Sequence, residues 1–227
     1  MKRRFRWYLL ALKDKDIDFV EVSMKMLALP YSEGNPTGFR LEKVHSTRIE
    51  GEFVEELHAD VEAVSPLGGV YKYSTIHFNL VKFQLMRYPL ALRLTDPPRS
   101  LKGFFSELRG LMGMNLETPQ IDVRTWLNQW SRREFDVVVQ DVLLSDVTVG
   151  RATRAAIRFS GQGDVRQDAS RFLSGREPLI SCATLEFTDG DSRGTCEIRA
   201  NCSAVVNSWR PMQIADDLWS AFLEAVK

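Results

Sequence analysis

The chain has 227 residues, of which 44% are hydrophobic and 26% charged, a composition typical of a folded globular protein. Its 30 basic and 30 acidic residues cancel, which excludes a uniformly basic nucleic-acid binder and an acidic disordered chain. The three cysteines, Cys182, Cys196 and Cys202, form no CxxC pair, and a secreted scaffold would need a denser and even set. We therefore expect reduced thiols and a cytoplasmic protein.

The N-terminus begins with basic residues and a short apolar run. This run, Trp7 to Leu12, stops at Lys13-Asp14 and is shorter than the roughly 7–15 apolar residues of a signal peptide. The sequence also lacks an apolar stretch of about 18 residues, the length that a membrane helix needs. We expect neither a signal peptide nor a membrane partner.

Apolar residues alternate with polar ones in several parts of the first half, a pattern that predicts strands. The segment Ile17–Leu29 fits a strand or a helix equally well. The apolar face of the third of these patterns, listed below, changes near Leu80, which predicts a β-bulge or a bend. The predicted strands are Phe5–Ala11, Leu57–Ala63, Tyr71–Leu85 and Tyr88–Leu94.

A helix is predicted after Pro97-Pro98, with an apolar stripe from Leu101 to Met112 and Gly113 as its C-cap. Gly103, Ser106 and Gly110 form a second face of small residues on this helix. Because each interior glycine costs about 1 kcal/mol relative to alanine, we expect another backbone to approach closely along that face.

The second half has the same mixture of strand and helix patterns. Asp164 is placed to cap a helix that closes near Gly175, and Pro211 opens a terminal helix. Cys196–Ala204 has a regular alternation that predicts one half-buried strand. The other predicted elements are a helix over Val123–Trp130, strands over Phe135–Leu144, Ala152–Ser160 and Leu179–Phe187, and a hairpin loop over Thr188–Gly194.

The strands do not alternate regularly with helices, which favours an α+β fold with mainly antiparallel sheets and about four packed helices. A break near Asn115–Gln120 suggests an N-terminal half, 1–117, and a C-terminal half, 118–227, packed intimately or forming a single domain. The strand that starts at Ala91 and the helix after it resemble the strand that starts at Ala156 and its following helix, each within a strand–strand–helix unit. Duplication of a ββα-type module and chance both explain this echo.

Motifs for catalysis or cofactor binding are absent: there is no GxSxG, no GxGxxG and no GxxxxGK[ST]. We therefore expect no cofactor and favour a non-catalytic protein. His58, Asp60 and Glu62 alternate along one predicted strand and could join a metal site of a metal-dependent enzyme. A solvated polar face explains the same alternation, and we prefer that interpretation.

Nucleic-acid binding is an alternative function. Tyr71, Tyr73, His77 and Asn79 share one strand face on which the bases of RNA or single-stranded DNA could stack and hydrogen-bond. Phosphate contacts would come from the basic N-terminus, Arg3, Arg4 and Arg6.

Protein binding is the function that we predict. Trp219 and Phe222 lie on the apolar stripe of the terminal helix, and aromatic residues are common anchors of protein interfaces. The acidic stretch around Glu52, Glu55 and Glu56 suits a basic partner. The sequence thus predicts a subunit or adaptor that binds another protein or a second copy of itself within an assembly.

Overall fold

The structure, a computed structural model, describes residues 1–11, 17–113, 115–117, 121–133, 135–173, 179–189 and 192–226. The fold is α+β with antiparallel strand pairing, as predicted. The chain divides into an N-terminal unit, Tyr8–Glu117, and a C-terminal unit, Thr118–Lys227 together with Met1–Trp7. Strand β1 (Lys2–Ala11) supplies its first residues to one unit and its last residues to the other.

The N-terminal unit is a sheet with two helices. Its strands lie in the order β2-β3-β4-β5, and the backbone of Leu10 in β1 donates to the carbonyl of Leu90 beside β5. Phe53, Phe83 and Phe104 pack together in its core. The elements are α1 (Phe19–Leu27), β2 (Thr37–His45), β3 (Arg48–Val64), β4 (Val70–Met86), β5 (Ala91–Thr95), α2 (Lys102–Met112) and β6 (Asn115–Glu117).

The ambiguous segment Ile17–Leu29 forms helix α1. The carboxylate of Asp18 caps this helix by accepting from the backbone N–H of Val20 at 2.8 Å. Phe19, Val22 and Met26 then fall on one helical face and are buried in the core, a periodicity that a strand could not use.

The C-terminal unit packs helices on the sheet β1-β11-β10-β9-β7-β8. The indole of Trp7 makes an edge contact with Trp126 at 5.7 Å and stacks on Trp219 at 6.2 Å between ring centroids. Its elements are α3 (Val123–Ser131), β7 (Asp136–Thr148), β8 (Arg154–Ser160), α4 (Arg166–Leu173), β9 (Leu179–Asp189), β10 (Ser192–Arg199), β11 (Ser203–Asn207) and α5 (Pro211–Val226).

The prediction of a single strand over Cys196–Ala204 is wrong. The chain turns at Ala200–Cys202, where Cys202 has a φ of 56°, and β10 and β11 pair as a hairpin. Ile198 lies opposite Ala204, and both are buried, so the alternation stays in phase across the turn and imitates one strand. The predicted end of α4 at Gly175 and part of the predicted boundary, residues 118–120, lie outside the described residues.

None of the helices in the described part of the chain is long and apolar enough to cross a bilayer.

Candidate functional site: a projecting β-ribbon

Strands β3 and β4 continue well beyond the sheet that contains them. They pair along their whole length, from Arg48 opposite Met86 to Val64 opposite Val70. Strand β2 stops pairing opposite Glu55, and β5 stops opposite Lys82. The outer parts, Glu56–Val64 and Val70–Phe78 with the turn that joins them, therefore form a two-stranded arm, which we call the ribbon.

The bulge predicted near Leu80 is absent, because the β3–β4 register has no shift. The apolar face changes for another reason. After Leu80 in the sequence, where β4 lies within the sheet, Val81, Phe83 and Leu85 point into the core and are buried. Before Leu80, where β4 belongs to the ribbon, Ile76 and Phe78 lie on the opposite face and are more than half exposed. The switch in the sequence pattern marks the point where the strand leaves the core.

One face of the ribbon, which we call the apolar face, continues the core side of the sheet. Strand register places Leu57, Ala59, Val61 and Ala63 of β3 on this face, opposite His77, Thr75, Tyr73 and Tyr71 of β4. Tyr71 is 64% exposed, Tyr73 51% and Leu57 42%. The predicted tyrosine face thus exists, and aliphatic side chains of β3 lie beside it.

The opposite face, which we call the acidic face, carries the predicted metal residues. Asp60 accepts a hydrogen bond from the Ser74 hydroxyl at 2.5 Å, and Glu62 forms an ion pair with Lys72 at 2.5 Å. His58 lies 2.9 Å from Glu56. The three side chains therefore have separate partners, and the described residues contain no group of three or more His, Cys, Asp or Glu that could hold a metal ion.

Residues at the base fix the ribbon to the rest of its unit. Asn79 is 8% exposed, and its amide donates to the Glu55 carboxylate at 2.9 Å and to the carbonyl of Ser100 at 3.0 Å. Asn79, predicted to contact nucleic acid, and Glu55, predicted to contact a basic partner, are thus both engaged within the fold.

Tyr31 packs against the acidic face of the ribbon. Its ring makes an edge contact with Phe78 at 6.3 Å, and its hydroxyl donates to Glu56 at 3.4 Å. Burial and the neighbouring Glu56 carboxylate raise the pKa of Tyr31, so this hydroxyl stays protonated and remains a donor. Glu52, below the ribbon, forms ion pairs with Lys82 at 3.2 Å and Arg40 at 4.0 Å.

The two parts of the predicted nucleic-acid surface belong to different units. Tyr71, Tyr73 and His77 are in the N-terminal unit, whereas Arg3, Arg4 and Arg6 are in the C-terminal unit. Strand alternation places Arg4 and Arg6 on the sheet face opposite Phe5 and Trp7.

Acidic side chains accompany the basic ones on that open face of the C-terminal sheet. Asp141 accepts from Arg158 at 2.7 Å, and Glu197 forms an ion pair with Arg199. Burial tends to raise the pKa of Asp141, but hydrogen bonds from Arg158 and Ser160 lower it overall. Arg158 and Arg199 are thus already paired with carboxylates on this face.

The predicted anchors Trp219 and Phe222 lie inside the C-terminal unit. Trp219 is 6% exposed and Phe222 is fully buried, and both pack against the aromatic cluster around Trp126. Their side chains complete the core between α5 and the sheet, so the site described above does not use them.

A cavity of about 340 Å³ lies in the C-terminal unit. Its lining includes the apolar side chains of Leu127, Val142, Leu144 and Leu173 and the basic side chain of Arg124. Its described lining contains no His, Cys, Asp or Glu, so it offers no general acid, base or thiol nucleophile.

Sequence reasoning missed Leu57, Ile76 and Phe78 as surface residues. Their apolar character suggested core positions, and the signal that could have identified the ribbon was the change of face near Leu80. Comparison of the chain with protein-family models, curated proteins and solved structures found no match.

Proposed function

We propose that this protein is a non-catalytic binding subunit and that its ribbon docks on a different protein. The observation that carries the proposal is the exposure of large hydrophobic side chains on both sides of one projecting hairpin. They are Leu57, Val64, Leu67, Val70, Tyr71, Tyr73, Ile76 and Phe78, each more than 40% exposed. Exposed large hydrophobic side chains gathered on one element are typical of interaction sites.

The architecture of the ribbon adds a second argument. An isolated two-stranded hairpin is only marginally stable in water, and unpaired strand edges invite association. Beyond Glu56, neither edge of the ribbon pairs with another strand among the described residues. A bound protein would cover the apolar face and so stabilise the ribbon as it binds.

The charge of the ribbon favours a protein over a nucleic acid. Between residues 56 and 78 the chain carries Glu56, Asp60 and Glu62 against a single basic residue, Lys72. Nucleic-acid affinity depends on neutralising phosphates with cations, so an acidic ribbon would repel them. The complementary partner is a protein with an apolar surface flanked by basic residues.

Binding affinity should depend on several ribbon side chains together. Completing the burial of a half-exposed Tyr or Leu is worth about 1 kcal/mol. The double variant Tyr71→Ser/Tyr73→Ser should therefore weaken binding by roughly tenfold to a hundredfold. Because both side chains are exposed, their replacement should leave the free protein folded.

The experiment starts with native protein purified gently from the cells that make it. Light scattering and native mass spectrometry identify any protein that co-elutes in a fixed ratio. That partner is then produced separately and titrated against wild type, the double variant and Tyr88→Ser. Tyr88 is a matched control, because it is a tyrosine of the same unit, is 72% exposed and lies outside the ribbon.

The proposal expects the double variant to lose affinity and Tyr88→Ser to retain it. Equal affinity of all three proteins would refute the role of the ribbon. A monomer without any partner, an assembly made of this chain alone, or a nucleic-acid partner would each contradict the proposed function.

A further inference from the structure

The backbone along the two edges of the ribbon has a defined orientation. The N–H of Glu56 donates to the carbonyl of Pro36 at 2.7 Å, on the side away from β4. The carbonyl of Ala59 accepts from the Thr75 hydroxyl at 3.2 Å, on the side towards β4. Because successive residues of a strand point their backbone groups to alternate sides, those of His58, Asp60 and Glu62 point outwards.

Those outward groups have no strand partner among the described residues, since β3 pairs with β2 and β4 alone. The same alternation along β4 points the backbone groups of Ser74 and Ile76 away from β3. The ribbon therefore offers two open edges to which another strand could add.

The two edges differ in the side chains that an added strand would meet. Beside β3, one face of the added strand would lie next to Glu56, Asp60 and Glu62. Side chains on one face of a strand repeat about every 6.5–7 Å, so alternate residues of the added strand would match this row. The other face would lie next to Leu57 and Val61. Beside β4, from Tyr73 to Val81, the chain contains no charged residue and no proline, so this edge has no charge with which to select a partner.

We propose that the partner contributes an extended segment of alternating basic and apolar residues, which pairs with β3 as an added strand. Main-chain hydrogen bonds to His58, Asp60 and Glu62 would supply affinity. Side-chain pairing across the two faces would set the register. This inference rests on the proposed function and adds to it the edge used and the chemistry of the bound segment.

The test uses a synthetic peptide in which Lys and Val alternate, as long as the open edge of β3. It is added to the full, isotopically labelled chain, and amide hydrogen exchange is followed by NMR. We expect exchange at His58, Asp60 and Glu62 to slow by at least about tenfold, as hydrogen-bonded amides do. Exchange at Ser74 and Ile76 should not change. A Glu–Val peptide and an N-methylated Lys–Val peptide should bind much more weakly.

A matched pair of proline variants separates the edges. Asp60 and Ser74 lie directly opposite each other and share one side-chain hydrogen bond. Asp60→Pro and Ser74→Pro both break that bond, and each removes one outward N–H that the β3–β4 ladder does not use. Relative to Asp60→Asn, which removes the charge alone, Asp60→Pro should weaken peptide binding roughly three- to tenfold. Ser74→Pro should have little effect.

Three results would overturn strand addition at β3: no binding of the Lys–Val peptide, equal binding of its N-methylated form, or protection confined to Ser74 and Ile76. The titration with Tyr71→Ser/Tyr73→Ser then separates the two proposals. If that variant still loses the natural partner while strand addition fails, the ribbon is a docking surface used through its face. If neither experiment detects binding, both proposals fail.

Discussion

Helix α2 contains two glycines whose surroundings differ, and alanine substitution should affect stability with opposite signs. At Gly103 an added Cβ would lie 2.2 Å from Oε1 and 2.9 Å from Oε2 of Glu55, closer than any real contact. At Gly110 it would meet nothing within 4 Å. The sequence predicted that another backbone lies close to both glycines. The structure instead places the Glu55 carboxylate close to Gly103 and no other group close to Gly110.

The expected magnitudes follow from the hydrogen bonds of Glu55. Gly110→Ala should stabilise by up to about 1 kcal/mol, the ordinary gain in helix propensity. Gly103→Ala has the same gain, but it must displace a carboxylate that accepts from the buried amide of Asn79. Leaving that amide without this partner costs about 1–3 kcal/mol. We therefore expect Gly103→Ala to be less stable than Gly110→Ala by about 1–3 kcal/mol.

Urea unfolding followed by far-UV circular dichroism measures this difference. Hydrogen exchange of peptides from α2 then localises it, because all five tryptophans lie in the C-terminal unit and would not report on this helix. A double-mutant cycle supplies the control: with Glu55→Ala in place, Gly103→Ala should become as favourable as Gly110→Ala. Equal stabilisation by both alanines in the wild-type background would refute the reasoning.

Three further predictions concern the C-terminal unit. Trp219→Ala should destabilise it by about 3–5 kcal/mol, measured by tryptophan fluorescence during unfolding, because the side chain is part of the core; an unchanged transition would contradict its burial. Burial tends to raise the pKa of Asp164, but hydrogen bonds from Arg166 lower it overall. The stability from this carboxylate is therefore present above its unfolded pKa of about 4 and lost below it, so Asp164→Asn should flatten the fall of Tm with acid. Burial raises the pKa of Cys202 to about 12, against a lowering effect of Arg6, and raises that of Cys196 further. Both thiols should resist iodoacetamide until urea unfolds the chain, and rapid labelling of the native protein would argue against this environment.

Local patterns were sufficient to predict the fold class and most elements, because each element buries one face with its own period. The terminal helix, the Gly113 C-cap and the strand around Leu57 follow from such patterns. Two failures have one cause. A hairpin turn at Ala200–Cys202 preserves the alternation of a strand, and a strand that leaves its sheet changes the alternation without a bulge. Periodicity records which face is apolar but not what lies against it.

The same limitation explains why the sequence predicted only part of the candidate site. Trp219 and Phe222 were attractive as interface residues because of their size, yet size serves a core equally well. Tyr71 and Tyr73 were predicted from their shared strand face, although for nucleic-acid binding. Leu57 became a candidate only once the strand register showed that no sheet neighbour covers it. The type of an apolar residue does not by itself show whether the residue is buried or exposed. Its neighbours in the fold must be known before it can be assigned to a binding surface.

The carboxylates of the acidic face have two consequences for such an exposed ribbon. If the open β3 edges of two copies met, rows containing Glu56, Asp60 and Glu62 would face each other, and like charges on neighbouring strands are unfavourable. The same row attracts a strand that carries basic residues at every second position. One set of side chains therefore disfavours association between copies along this edge and favours a partner of opposite charge, which is how natural sheets protect an edge that they need to keep open.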